Sequence, residues 1–450
     1  MKKDELTSGP VGRQLFVFAL PLIGISLIQQ LYNMVDLLFV GNLLGTEATA
    51  AVGASGLLVT CIVGFFTGLS TGTGVIVSMA VGVHDDNRVE KTIHTALAVS
   101  LIGGVSMSII GILASKQLLI WMNTPDAVLD QACVYIRIYL LSMLPLFIYN
   151  MNSGIIRAGG NSRMPLMFQI AGSVTNIIFD AVTMAVLGMG VEGAAIATVV
   201  SQLAAAIASV IYLRRQEGAW RLCWNKVRID TDVLRMIFRL GVPAGLQSLV
   251  ITLSNIFVQY AINGLGVDEV AAYALYGKVE LIIYLPLVAF GQSMTTFAGQ
   301  NMGAGEKARV KKGMNTCTLM GMVYAAVTAV LLLMFGQYVF GLFTGDSAVI
   351  ALGMRMISVT FPFYWVYAIL ETTADTLRGC GRSIEPMVII MLNICLLRTI
   401  ILQIFVGIWG TLESVAAVYP TVWITAALCL RICWSIYWKK ETAGRVRTPA

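Results

Sequence analysis

Twelve apolar runs, each bounded by charged or turn-rich clusters, divide this chain from end to end. They fall at 14–41, 48–80, 92–115, 133–156, 164–188, 192–214, 234–262, 270–300, 312–334, 350–378, 386–409 and 413–437. Each is long enough to cross a hydrocarbon core of ~30 Å as a helix. Inside lipid every backbone polar group must be satisfied within the span, so non-barrel segments of this kind can only be helical. Charged residues make up 12% of the chain, against roughly 25% in soluble domains. The expected fold is an all-α polytopic membrane protein of twelve transmembrane helices.

The loops between runs alternate in charge. One set holds Lys2, Lys3, Arg13, Arg88, Lys91, Arg157, Arg163, the stretch from Arg214 to Arg239, Lys307 to Lys312, Arg378, Arg382 and the basic residues from Lys439 to Arg447. Together these are 24 of the 30 Lys and Arg residues. The opposite loops carry Lys116 and otherwise acids such as Glu47, Asp126, Glu192, Asp268, Asp346 and Glu413. The positive-inside rule then places both termini in the cytoplasm. Alternation with spans makes the basic clusters topological signals, so no nucleic-acid partner is expected. Met1–Gln14 is short and polar and reads as no cleavable leader, leaving the first span to act as its own insertion signal. The eight cysteines form no CxxC pair. They read as single thiols that act as small hydrophobes.

The halves of the chain repeat at an offset of 221 residues. Gly45 matches Gly266, Gly82 matches Gly303, Arg88 matches Arg309, and RAGGNSRMP at 157–165 matches RGCGRSIEP at 378–386. Six spans per half is an even number, so both halves enter from the same side and form parallel repeats. The expected division is a lobe at 1–214 with helices 1–6, a cytoplasmic linker at 215–233, and a lobe at 234–450 with helices 7–12. Two pseudo-symmetric six-helix lobes suit alternating access.

An ionisable group near the middle of a span costs on the order of 2.5–3.5 kcal/mol on insertion scales, so the few present are the best functional candidates. In the first half these are Asp36 on helix 1 and Asp180 on helix 5. Counted from the outer helix ends, Asp36, Asp180 and Thr198 of helix 6 fall at one depth. Asn176 lies one turn below Asp180 on the same face, and Asn33 about one turn below Asp36. Carboxylates, amide oxygens and a hydroxyl at one level suit a hard cation such as Na⁺. They suit a proton equally, since two carboxylates in a low dielectric disfavour two negative charges. In the second half Lys278, Glu280, Glu371, Asp375 and Arg398 are buried candidates. They read either as a neutralised structural network or, at Glu280, Glu371 or Asp375, as a contact for a cationic substrate. Pro21 and Pro243 each remove a backbone hydrogen bond from a long helix and should bend it at matching places. His84 and His94 flank a basic-side loop and read as having no part in coupling. The abundant Met reads mainly as packing.

The chain resembles the multidrug and toxic-compound extrusion (MATE) transporters over its whole length. The resemblance is carried by Pro21 with YNMVDLLFVG at 32–41, GQNMGAG at 299–305, and the paired RAGG and RGCG segments. It is most similar to the prokaryotic DinF-like branch, whose first-lobe cation site implies roles for Asp36, Asn176, Asp180 and Thr198. A helix-7 acid used by another branch is missing; Gln247, Asn255 and Gln259 occupy that helix interior. The resemblance implies a V-shaped pair of lobes. It also implies secondary active efflux of lipophilic or cationic compounds in exchange for Na⁺ or H⁺, without a cofactor. A flippase for lipid-linked precursors and a metabolite exporter of the same superfamily are the alternatives. No HExxH, Cys/His cluster or Ser–His arrangement lies inside the spans, so an enzyme is not expected. A monomer in the bilayer is the expected state.

Overall fold

A computed structural model describes residues 6–443. Lys2, Lys3, Arg445 and Arg447 of the basic set lie outside the described residues. Every regular element among the described residues is helical. Eleven helical runs are long and apolar enough to cross a bilayer, and the first of them, Val11–Gly82, is 72 residues long. At 1.5 Å per residue that run would measure about 110 Å, more than three hydrocarbon thicknesses, so it holds two spans. The division falls at Gly45, whose φ of +85° only glycine adopts without strain, just after a π-helical turn at Val40–Leu44.

Among the described residues twelve long helices follow one another, beginning with α1 (Val11–Phe39), α2 (Gly45–Gly82), α3 (Asp86–Trp121), α4 (Asp126–Ala158), α5 (Arg163–Val186) and α6 (Val191–Arg214). They continue with α7 (Thr231–Asn263), α8 (Val267–Gly303), α9 (Lys307–Gly341), α10 (Ser347–Gly379), α11 (Ile384–Trp409) and α12 (Leu412–Ala443). All twelve expected spans are present. Most are longer than expected, because the helices continue through their polar ends. The repeat is visible in the backbone as well. Helix α4 tightens to a 3₁₀ turn at Leu140–Ser142 and α10 does the same at Phe361–Phe363, the positions 221 residues on. Gly160 and Gly381, another matched pair, take φ of +90° and +79°.

The chain forms two compact units. The first is built from Leu20–Gly245 with Gly303–Gly305, and the second from Thr7–Ala19, Leu246–Met302 and the described residues from 306 to 443. Helices α1 and α7 are therefore each shared out between units, within three residues of Pro21 and Pro243.

The core of the first unit includes Phe66 and Phe147, with ring centroids 4.2 Å apart, and fully buried Ile76, Ile93, Leu97 and Ile136. Helix α2 meets the first part of α7 backbone to backbone at Gly68 with Gly245 and Gly72 with Gly241, where no Cβ would fit. Close approach through small residues is how helices gain packing contacts in lipid, where burial of apolar surface offers no gain. The 215–233 segment folds onto α3 within this unit. Trp220 and Leu222 are buried, the Cys223 amide donates to His94 Nε2 (3.1 Å), and His94 Nδ1 bonds the Glu90 carbonyl (2.7 Å). Lys91 pairs with Asp230 at 3.0 Å. That bond and the Val233 amide hold the Asp230 carboxyl below the usual carboxylate range, while Glu90 raises the Lys226 ammonium.

In the second unit Arg309 ties the first turns of α1 to α9. It donates to the Gly9 carbonyl (2.8 Å), to Gln14 Oε1 (2.8 Å) and to Asn301 Oδ1 (3.0 Å), and lies over the Phe297 ring. A second feature is an aromatic wall made by Tyr276, Phe361, Tyr364, Tyr367 and Trp423, in which Tyr364 and Trp423 approach to 4.7 Å.

Candidate functional site

The acids of the first unit come together. Asp36 on α1 and Asp180 on α5 lie near enough to feel one another's charge. Asn176 and Asp180 are completely buried and Thr198 on α6 is 2% exposed. Helices α5 and α6 pack closely along their lengths. Asp180 ends the regular part of α5 and a π-helical turn, Ala181–Val186, follows it; Asp36 stands four residues before the π turn of Val40–Leu44. The two π turns touch. Such turns recur at functional sites because the widened turn displaces side chains from the regular helical face.

The electrostatics of the pair are unbalanced. One oxygen of Asp36, both oxygens of Asp180 and both amide atoms of Asn176 are buried and have no hydrogen-bond partner. An unsatisfied buried polar group costs about 1–3 kcal/mol, more when charged. Two carboxylates side by side away from water repel one another, which disfavours two negative charges. None of the six ion pairs among the described residues involves either acid. A cation between them relieves both costs at once. Thr198 Oγ1 donates to the Ala194 carbonyl (3.2 Å), so its lone pairs are free to serve as a ligand. Two carboxylates with neutral oxygens fit Na⁺ or a shared proton. Among the described residues there is no cluster of three His, Cys, Asp or Glu of the kind a transition metal would use.

One member of the expected depth set is not gathered in. Asn33 is exposed, and Tyr32, its neighbour, is the residue one turn before Asp36 that faces the acids. Positions three and four residues back lie on almost the same face, and the packing of α1 selects the fourth. Tyr135 of α4 also lies in electrostatic reach of both acids, and Tyr139 in reach of Asp36; their rings stack at 6.0 Å. These phenols were not singled out from sequence. Their signal was the i, i+4 spacing of two tyrosines inside a span.

The charges of the second unit are held separately. Asp375 pairs with Arg378, which also donates to Gln247 Oε1 (3.0 Å). Arg398 bonds Ser254 (3.0 Å) and Asn255 (2.9 Å) and lies over the Tyr419 ring, next to a π turn at Met391–Leu397. Lys278 is exposed and sits 5.7 Å from the centre of the Phe343 ring. None of the five candidates forms an ion pair with another among the described residues. Glu280 instead accepts from the hydroxyls of Tyr276 (3.3 Å) and Tyr364, and Glu371 from Tyr367 (3.2 Å).

The chain matches the MatE family twice, over residues 21–182 and 243–427, so each half carries a copy that begins at one of the two helix prolines. It is 26% identical over 462 residues to the probable multidrug resistance protein YoeA of Bacillus subtilis, covering 97% of this chain and 96% of the relative. To the probable multidrug resistance protein YpnP of the same organism it is 29% identical, covering 88% and 89%. Its fold is that of a solved outward-facing multidrug resistance MATE family transporter of the MOP superfamily. That likeness has a TM-score of 0.92 at 20% identity, over 98% of this chain and 99% of the other. The chain belongs to the MatE family, and is a multi-pass membrane transporter and not an enzyme.

Proposed function

We propose that this protein is a secondary active efflux antiporter, which exchanges Na⁺ or H⁺ for lipophilic, often cationic compounds. The observation that carries the reading is the Asp36–Asp180 pair: one oxygen of Asp36 and both of Asp180 are buried beside an unpartnered Asn176, and no ion pair among the described residues involves either acid. Asp36 and Asp180 hold the coupling ion, with the Asn176 carbonyl and the Thr198 hydroxyl as neutral ligands. Neutralising the pair lowers the cost of enclosing it, which permits the change of access. Pro21 and Pro243 are the bending points, since each leaves a long helix short of one backbone hydrogen bond. One charge moving with the membrane potential yields ~2.3 kcal/mol per 100 mV, roughly 50-fold accumulation of cargo.

The second unit takes the cargo in this reading. Glu280 accepts hydrogen bonds from two tyrosine hydroxyls, forms no ion pair among the described residues, and stands against an aromatic wall. An acid beside aromatic faces attracts a lipophilic cation. The names of the Bacillus relatives support the multidrug class, and the Asp, Asn, Asp and Thr set supports the DinF-like branch. The charge pattern of the loops supports cytoplasmic termini, and the Bacillus relatives support a prokaryotic cell membrane.

Dye efflux from proteoliposomes under an imposed Na⁺ or pH gradient tests the reading, with Asp36→Asn as control. Efflux that follows one gradient and vanishes in the variant is the expected result. If neither gradient moves a panel of cationic dyes, the flippase and metabolite-exporter alternatives take its place.

A further inference from the structure

Next to the acid pair, α5 and α6 leave a small chamber with room for about one water-sized guest. Tyr32, Gln169, Ser173, Asn176, Ser201 and Gln202 form its polar wall. Empty cavities of this size in proteins are apolar, whereas a chamber with several polar walls holds water or an ion. Asn176 belongs to both places. It is fully buried, neither end of its amide has a protein partner, and it is one turn from Asp180. A primary amide offers an acceptor and two donors, so it can serve an ion on one side and the chamber on the other.

Polar groups continue beyond the chamber in the first unit. On α5, Gln169 and Ser173 precede Asn176 at helical spacing, and Gln169 Nε2 reaches Ser173 Oγ at 3.5 Å. On α6, Ser201, Ala205 and Ser209 recur every four residues and so share a face. Asn152 Nδ2 donates to Ser209 Oγ (2.9 Å), and Asn161 Nδ2 donates to the Tyr212 hydroxyl (3.2 Å). Asn161 lies in the turn that carries Arg157 and Arg163, one of the basic loops. Ala205 adds no polar atom to this row, but its small side chain leaves the chamber open on that side.

We propose that the chamber is a second station for the coupling ion. On leaving Asp36 and Asp180 the ion passes Asn176 into the chamber. It then travels between α5 and α6, inside the first unit, toward the end that bears the basic loops. A proton would move along hydrogen-bonded water and side chains there; Na⁺ would be handed between the oxygens of Asn176, Ser173 and Ser201. The inference rests on the coupling role proposed for the acid pair.

Ser173→Val combined with Ala205→Val fills the chamber and leaves Asp36, Asn176, Asp180 and Thr198 in place. Two quantities are read on the full-length protein. One is equilibrium ion binding, as the rise in thermal midpoint with Na⁺ or with added protons. The other is the initial rate of gradient-driven dye efflux from proteoliposomes. Binding should stay at the wild-type level while efflux slows about tenfold or more. Gln169→Leu should slow it in the same direction, and Gln169→Asn should restore most of the rate. Running the experiment with Na⁺ alone and with a pH gradient alone shows which ion uses the chamber. Wild-type efflux in the filled variant and in Gln169→Leu, with Asp36→Asn still inactive, would overturn the exit route and leave the pair's coupling role standing. Wild-type efflux in Asp36→Asn would overturn the coupling role and this inference with it. If the filled double variant does not fold, Gln169→Leu against Gln169→Asn decides alone.

Discussion

Gly291 on α8 packs directly against the carboxylate of Asp375 on α10, and no side chain larger than hydrogen fits between them. The matched positions in the first unit, Ser70 and Gly154, make the corresponding crossing with the glycine on the other helix, where a Cβ on Gly154 would collide with Ser70. The two repeats thus meet one packing requirement with opposite choices of small residue. Only the second unit uses the freed space for a charge, and that charge is bound by Arg378.

Gly291→Ala should therefore strain the Asp375–Arg378 pair as well as the helix crossing. Overpacking of this kind costs about 1–3 kcal/mol. A lowered thermal midpoint in detergent is the expected outcome, and an unchanged midpoint would show that α8 and α10 can separate freely.

Arg378→Ala leaves the Asp375 carboxylate buried without its cation, which costs about 3–5 kcal/mol. Asp375→Asn in the same chain should recover most of that loss, because the remaining pair of neutral groups no longer holds a buried charge. A double-mutant cycle on unfolding measures the coupling; strict additivity would mean that the ion pair contributes nothing.

Ligand-linked stability should single out the first-unit acids. If Na⁺ or H⁺ binds the pair, a concentration 100 times the dissociation constant stabilises the folded protein by about 2.7 kcal/mol. The midpoint of the wild type should rise with Na⁺ against a K⁺ control, or with falling pH. Asp36→Asn and Asp180→Asn should each flatten that response, while Glu280→Gln should leave it in place. A response that survives both Asn substitutions would place the ion elsewhere.

His84 occupies a left-handed turn, φ +58°, where its repeat mate is Gly305 at +74°. An L-residue pays roughly 1–2 kcal/mol there and glycine does not. His84→Gly should raise the midpoint by an amount of up to that size, offset in part by the greater freedom of the unfolded chain. A fall would indicate that the imidazole makes a stabilising contact of its own.

His94→Leu should loosen the 215–233 segment, since the Cys223 amide loses its acceptor on a residue that is 2% exposed. Amide exchange at Leu222 and Cys223 should quicken by about tenfold for each 1.4 kcal/mol lost, with the exchange of the α2 core unchanged. Equal protection in both proteins would leave the docking to Trp220 and the Lys91–Asp230 pair.

Much of this protein is already determined by local sequence. Run length and the exclusion of charge specify twelve helices, because in lipid a backbone has no other way to satisfy itself. The offset of 221 residues reappears in the 3₁₀ turns at Leu140 and Phe361 and in the positive φ of Gly160 and Gly381. Asp36 and Asp180 stand out in the sequence because a buried ionisable group is costly, and depth and helical face add Thr198 and Asn176 as candidates beside them. Depth along a helix axis, however, does not say which way a side chain turns. Only tertiary packing chose Tyr32 over Asn33, brought Tyr135 and Tyr139 to the acids, and gave Asp375 its partner in Arg378 and not in Lys278 or Arg398. It also made His94, which the sequence marks only as flanking a basic-side loop, the acceptor that fastens the 215–233 segment. The division of α1 and α7 between compact units was likewise hidden, because it depends on which surfaces pack together, and hydropathy along one helix carries no record of its neighbours.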